Sequence, residues 1–230
     1  MRPWHKEIVS INFCLTSRCN RRCPDCCVGV GLSVHGSKQE GRDQTWEEIE
    51  RAGKLIGKIW RITISGGEAS FHEQFAEFAP RLRSAFDCET MWIETNAYGF
   101  RRTPEAFLHF DRIIVTRYGP EARAYGERET GGPNDADIRY MEQYLSDRGL
   151  RDRLISGDFP HWPRKYRGPA NSCDRGGGGS IAYWDGLIYP CCTAQGMKGA
   201  IGIPLTENWR AEIMQVEMPC ANCAFARGEG

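Results

Sequence analysis

Segments with a two-residue apolar period alternate with segments of helical period along the first 156 residues, and that alternation admits few folds. Val9, Ile11 and Phe13 alternate with polar residues and predict a first strand over 8–13. Thr45 with Glu48 forms a capping box, and Ile49, Ala52, Leu55 and Ile56 give the helix that follows its apolar stripe. Residues 59–65 predict the next strand, followed at once by Gly66-Gly67-Glu68. Ser70 with Glu73 reads as a second capping box, opening a helix that buries Phe71, Phe75, Phe78 and Leu82. Residues 90–95 predict a third strand. Thr103-Pro104 starts a third helix, with proline in the first turn, where its missing N–H costs nothing. Residues 112–116 predict a fourth strand. Asn134 or Asp135 caps a fourth helix with Ile138, Met141 and Leu145 on one face, stopped by Gly149. Residues 153–156 predict a short fifth strand.

Repeated strand–helix units imply right-handed crossovers and a parallel sheet. About five strands and four helices are too few for the closed eight-stranded barrel. An open partial barrel and a doubly wound sheet both fit, and both place ligands beyond the C-terminal ends of the strands. The suggestive residues fall there: 19–27 after the first strand, 66–68 after the second, Asn96 after the third, Arg117 and Tyr118 after the fourth. From residue 157 the pattern breaks down under Pro160, Pro163, Pro169 and the run Gly176–Gly179. Asp185-Gly186 between two apolar runs predicts a hairpin leading into Cys191. Thr206 caps a short helix carrying Trp209 and Ile213. We therefore expect a domain over 1–156 and a smaller one over 157–230.

Lys plus Arg equals Asp plus Glu at 30 each, so no charge excess marks a nucleic-acid footprint. No run of 18 apolar residues exists and the N-terminus has no long apolar core, so a membrane span and a secretory signal are not expected. A cytoplasmic location is the expectation. The outlying count is cysteine, at 11 of 230 residues. An odd number excludes a fully disulfide-bonded monomer. Cys14, Cys19, Cys23, Cys26 and Cys27 form one group, and Cys173, Cys191, Cys192, Cys220 and Cys223 another, with Cys88 alone between them. Short spacings without a secretory signal read as metal ligands before disulfides.

Cys19, Cys23 and Cys26 stand as CxxxCxxC, three thiolates on one compact loop. They suit three corners of a cubane iron–sulfur cluster with one iron left open, unless Cys14 or Cys27 supplies a fourth ligand. Structural zinc is the rival occupant. Together with Gly66-Gly67-Glu68 after the second strand, this loop resembles the radical S-adenosylmethionine (SAM) enzymes. The resemblance spans about 8–156 and implies a partial TIM-like α/β barrel carrying a small C-terminal iron–sulfur domain. It implies that Cys19, Cys23 and Cys26 hold a 4Fe–4S cluster and that Gly66, Gly67 and Glu68 receive the methionyl amino group. Thr95 and Asn96 match positions facing the methionyl carboxylate or ribose, and the resemblance implies similar work for Thr116 or Arg117 at the end of the fourth strand. Members of the family carry an aromatic residue before the third cysteine. Here Asp25 stands instead, to hydrogen-bond the adenine or ribose or to face solvent.

In the second group, Gly186 followed by four residues and Cys191 resembles the entry to the auxiliary-cluster domains of these enzymes. Cys173, Cys191, Cys220 and Cys223 match the shortened, twitch-type form with one closed 4Fe–4S cluster. Structural zinc on the same thiolates is the alternative. Cys14 and Cys88 read as small buried apolar residues. The resemblance implies cleavage of S-adenosylmethionine to a 5′-deoxyadenosyl radical, removal of a substrate hydrogen, and transfer of an electron to the second cluster. It further implies a flavodoxin- or ferredoxin-type electron donor. The nearest type within the family is the dehydrogenase that oxidises a secondary alcohol of an aminocyclitol in antibiotic biosynthesis. Arg117 would orient substrate there, and Asp158 or His161 would accept a proton. The rival expectation is a peptide-modifying enzyme that crosslinks or epimerises a ribosomal peptide, against which counts the barrel's start near residue 8. A non-enzymatic metal module would make Gly66-Gly67-Glu68 a coincidental turn.

Overall fold

A computed structural model describes residues 8–21, 41–118, 134–159, 180–191 and 201–216. Among the described residues, thirteen strands and α-helices follow one another. They begin β1 (Ser10–Thr16), α1 (Trp46–Ile56), β2 (Ile59–Gly66), α2 (Phe75–Ala85), β3 (Cys88–Thr95), α3 (Pro104–Phe107) and β4 (Arg112–Tyr118). They continue α4 (Asp135–Ser146), β5 (Leu154–Phe159), β6 (Ser180–Trp184), β7 (Leu187–Tyr189), β8 (Ile203–Pro204) and α5 (Trp209–Ile213). The strands form one sheet in the order β5-β4-β3-β2-β1-β6-β7-β8.

Strands β1 to β5 are parallel and their order runs one way without reversal. Right-handed crossovers that always step in one direction leave every helix on the same face. That arrangement is a partial barrel rather than a doubly wound sheet. The face under the helices is apolar: Ile11, Phe13 and Leu15 of β1, Ile62 and Ile64 of β2, and Ile113 and Val115 of β4 are fully buried in one core. Ile49, Phe75, Phe78, Ile138 and Met141 close that core from the helices. Each such side chain contributes roughly 1.5–3 kcal/mol of burial. The opposite face of the same strands carries Ser10, Asn12, Thr63 and Ser65, all buried, beside half-buried Arg61 and Glu94.

The capping box at Thr45 is present, with Glu48 N–H donating to Thr45 Oγ1 at 3.3 Å and Thr45 N–H donating to Glu48 Oε2 at 2.9 Å. The second box is not. Residues Ala69–Phe71 form a 3₁₀ turn and α2 begins only at Phe75. The Ser70 hydroxyl is drawn instead to the buried carboxylate of Glu68 at 2.7 Å. Strand β5 is longer than expected and reaches Phe159, which brings Asp158 into register with Arg117.

Strand β6 pairs parallel with β1, from Ser10↔Ser180 to Phe13↔Tyr183, and so adds a sixth parallel strand to the sheet. The Asp185-Gly186 turn returns the chain antiparallel in β7. Its two residues take φ of 51° and 78°, the left-handed pair that a tight hairpin demands. Helix α5 packs back on α1: Trp209 Nε1 donates to Leu55 O at 3.0 Å, and Arg210 donates to the carbonyls of Ile56 and Lys58. These are carbonyls at and just past the end of α1, where cationic side chains bind well.

Candidate active site

The ends of β1 and β2 meet more tightly than a regular ladder allows. Their register shifts between Cys14 and Thr16. Beyond the shift, Gly67 N–H donates to Thr16 O and Glu68 N–H to Arg18 O, both at 2.8 Å. A Cβ on Gly67 would stand 2.4 Å from Arg18 O and 2.8 Å from Cys19 Cβ. Glycine alone lets the two backbones approach this far. The Gly-Gly-Glu ribbon therefore lies directly against the start of the cysteine loop. Cys19 is half-buried there, its Sγ accepting from Arg21 N–H at 3.3 Å.

A second layer braces the residues before Cys19. Asp43 accepts from Arg18 Nε at 3.1 Å and from Glu73 N–H at 3.0 Å, and Arg18 also pairs with Glu73 at 2.9 Å. Gln44 Nε2 donates to Cys14 O at 2.6 Å. His72 is buried, takes Gln74 N–H on Nδ1 at 3.1 Å, and so donates from Nε2 to Gln44 O at 2.8 Å.

Glu68 is the hub between β2 and β3. Its Oε1 accepts from Ser70 N–H, Ser70 Oγ and Thr95 Oγ1, and its Oε2 from Asn96 N–H at 2.6 Å. Burial pushes its carboxyl above the ordinary range, and these donors pull it part of the way back. Each carboxylate oxygen has two lone pairs, so Oε2 retains acceptor capacity for an ammonium.

Asn96 carries the connection onward. Its Nδ2 donates to Asn20 Oδ1 at 2.8 Å, tying the end of β3 to the cysteine loop. Asn134, at the start of α4, donates from Nδ2 to Asn96 O at 2.7 Å and Thr116 O at 2.8 Å, and accepts Tyr118 N–H at 2.8 Å. Its side chain makes no capping bond to α4, because it staples the ends of β3 and β4 together. Arg21 is buried with its guanidinium 3.8 Å above the Tyr118 ring. Arg117 pairs with Asp135 at 3.5 Å.

Cys19, Gly66, Gly67, Glu68, Thr95, Asn96 and Thr116 thus share one end of the sheet, and Arg117 borders them. Cys191 is buried at the end of β7, in a small apolar cluster with Cys14, Trp184 and Tyr189. Cys23, Asp25, Cys26, His161, Cys173, Cys220 and Cys223 lie outside the described residues. Cys88 is half-buried and its thiol is pushed up by burial, as a packing residue should be. Asn20, Arg21, Ser70 and Asn134 were not expected as site residues. Asn134 and Ser70 carried a signal only as helix caps. The set fits an S-adenosylmethionine and iron–sulfur site on two observations. Gly67 lets the candidate methionyl ribbon lie directly against Cys19, and the buried Asn20 Nδ2 has no hydrogen-bond partner among the described residues.

BtrN in complex with AdoMet and 2-DOIA superposes with a TM-score of 0.59 at 16% identity, over 92% of this chain and 84% of that one. BtrN in an open conformation gives 0.55 at 14% identity, over 98% and 90%. SuiB of Streptococcus suis, bound to the precursor peptide SuiA, gives 0.51 at 12% identity, over 97% and 71%. The chain shares the fold of these BtrN and SuiB structures. No family profile matches the sequence. Among curated proteins, the sodium channel protein type 10 subunit alpha of Rattus norvegicus is 27% identical over 116 residues, 44% of this chain but 6% of that protein's length. No helix among the described residues is long and apolar enough to cross a membrane.

Proposed function

We propose that the chain is a radical SAM oxidoreductase that oxidises a secondary alcohol of a small polar biosynthetic intermediate. The seating of Gly67 against Cys19 carries this reading, because it joins the candidate cluster loop to the candidate methionyl site in one rigid unit. Cys19, Cys23 and Cys26 would hold the open 4Fe–4S cluster. Glu68 would take the methionyl ammonium, with Thr95, Asn96 and Thr116 beside the carboxylate and ribose. Cys173, Cys191, Cys220 and Cys223, in a domain over 157–230, would hold the second cluster. When bound, these groups supply a radical that removes one hydrogen atom and a cluster that accepts the remaining electron.

The protein's own part is positioning, proton handling and exclusion of water. Arg117 stands at the rim of the site, next in register to Asp158. Arg117 orients the hydroxyl, and Asp158 or His161 takes its proton. The BtrN structure containing AdoMet and 2-DOIA supports a small-molecule substrate. SuiB, whose structure holds a precursor peptide, supports modification of a small peptide as the second reading. Reduction is assigned to a flavodoxin- or ferredoxin-type donor.

The test is anaerobic reconstitution with iron and sulfide, reduction, and mass spectrometry for 5′-deoxyadenosine. We expect that product, with its yield raised by an aminocyclitol substrate. Failure to cleave S-adenosylmethionine under these conditions overturns the reading.

A further inference from the structure

One edge of β1 changes partner near its end. Through Phe13 that edge pairs with β6. Thr16 still meets Gly66 of β2 on its other edge, but on this one it pairs antiparallel with Asp43. Ser17 N–H donates to Arg42 O at 2.9 Å, and Arg42 N–H donates to Ser17 Oγ at 2.8 Å. Gln44 N–H donates to Leu15 O at 3.1 Å. Residues 42–44 therefore lie against 15–17 and close the stem of the stretch of chain that contains Cys19, Cys23 and Cys26. Bringing the ends of so long a stretch together has an entropic cost, which these bonds offset.

The Asp43 side chain does more than this stem requires. Its Oδ1 accepts from the Thr16 hydroxyl and, at 3.1 Å, from Arg18 Nε. Thr16 Oγ1 in turn accepts Arg18 N–H at 3.0 Å. Its Oδ2 accepts Glu73 N–H at 3.0 Å. One oxygen thus holds the residues that lead into Cys19, and the other holds the chain that follows Gly66-Gly67-Glu68. The contact between Gly67 and Cys19 limits how closely these two segments approach. The carboxylate limits how far apart they move. The Arg18–Glu73 pair spans the same gap at 2.9 Å, but its Glu73 side chain is 70% exposed and such pairs contribute little.

We propose that Asp43 is a positioning residue, which sets the candidate cluster loop against the candidate methionyl ribbon by bonding to both. This rests on the proposed function, in taking those two segments as the two halves of one cofactor site. Asp43 touches neither cluster nor cofactor, and it acts through Arg18 and Glu73. Hydrogen bonds to an ionised carboxylate are the strong ones, so a side chain that is 16% exposed and bonded on both sides holds its partners in fixed relation. Supporting groups one step removed from a metal site typically cost about 10–100-fold in affinity when they are lost.

The test is Asp43→Asn in the full-length reconstituted protein. The amide keeps one oxygen for Thr16 and Arg18 but offers no second acceptor to Glu73 N–H, so the stem stays closed and the bridge is cut. Reduced, frozen samples are titrated with S-adenosylmethionine, and the change in the electron paramagnetic resonance of the open cluster reads its binding. A cluster closed by four thiolates does not respond and serves as the internal reference. We expect Asp43→Asn to load iron like wild type yet to need about tenfold more S-adenosylmethionine for the same spectral change. A residue that only closes the stem would leave that titration unmoved. Wild-type behaviour of Asp43→Asn in the titration therefore overturns the proposal. If Asp43→Asn does not load iron, Glu73→Pro decides, because it deletes the same N–H from the other side, after a residue whose ψ of 130° suits a following proline. An unchanged titration there overturns the proposal as well. The radical reading fails separately, if wild-type protein itself shows no spectral change with S-adenosylmethionine.

Discussion

The Cα of Gly67 sits so near Cys19 that a methyl group on it would come within 2.8 Å of Cys19 Cβ and 2.4 Å of Arg18 O. The contact joins positions 48 residues apart at the crest of the β1–β2 ladder. It is a backbone contact, so no side-chain rotation relieves it. Gly67→Ala should therefore push the cysteine loop away and destabilise the protein by about 1–3 kcal/mol, the usual cost of overpacking. Thermal denaturation and iron content after reconstitution measure the two effects. A variant that melts and loads iron like wild type would show that the loop is not fixed here.

Glu68 makes a pH prediction. Its carboxyl is raised in the folded protein by burial. For a raised acid the native state binds the proton more tightly than the unfolded state. Its stabilising contribution is then full below the unfolded value, about 4.3, and falls as pH rises towards the folded value. Glu68→Gln removes that titration but sets an amide against Asn96 N–H, at a cost of about 1–3 kcal/mol. The stability difference, wild type minus variant, should thus shrink as pH rises from 4 upward (roughly, following the ordinary carboxyl range). Melting curves of both proteins across that range check it, and a difference that grows with pH contradicts it.

Asn134 holds three backbone groups of β3 and β4 through one amide. Asn134→Ala leaves these groups unsatisfied and should cost at least about 2 kcal/mol. Asn134→Asp keeps the acceptor for Tyr118 N–H but loses both donations, so it should rescue little. Because Asn96 is held from this side, S-adenosylmethionine binding should weaken by about tenfold in either variant. Calorimetry on folded variants reads this, and unchanged affinity would reduce Asn134 to a purely structural staple.

Local chemistry was readable in the sequence, and long-range chemistry was not. The Thr45 capping box, the Asp185-Gly186 hairpin and the strand–helix alternation depend on neighbours a few residues apart, and the structure contains each of them. The ends of the strands were expected to gather Gly67, Glu68, Thr95 and Asn96, because parallel βα units place every strand end on one side. Nothing in local spacing announces that Asn96 binds Asn20, 76 positions away, or that Asn12 faces Glu94, 82 away. Ser70 misled for the same reason. Its spacing to Glu73 imitates a capping box, while the stronger partner, a buried carboxylate two residues back, is visible only in the fold.

Of the candidate cluster ligands Cys19, Cys23 and Cys26, Cys19 is the described one, and its loss should be decisive. Cys19→Ala should lose about four irons per chain, the content of one cubane cluster, and form no 5′-deoxyadenosine. Iron and sulfide analysis with product mass spectrometry measures both. Full iron content with normal product would remove Cys19 from the cluster.

The central claim is tested most directly on the wild-type protein. Anaerobic reconstitution should give about eight irons per chain, four for each cluster, and reduction in the presence of S-adenosylmethionine should release 5′-deoxyadenosine. Zinc in place of iron on the Cys19 loop, or intact S-adenosylmethionine after reduction, would contradict the account.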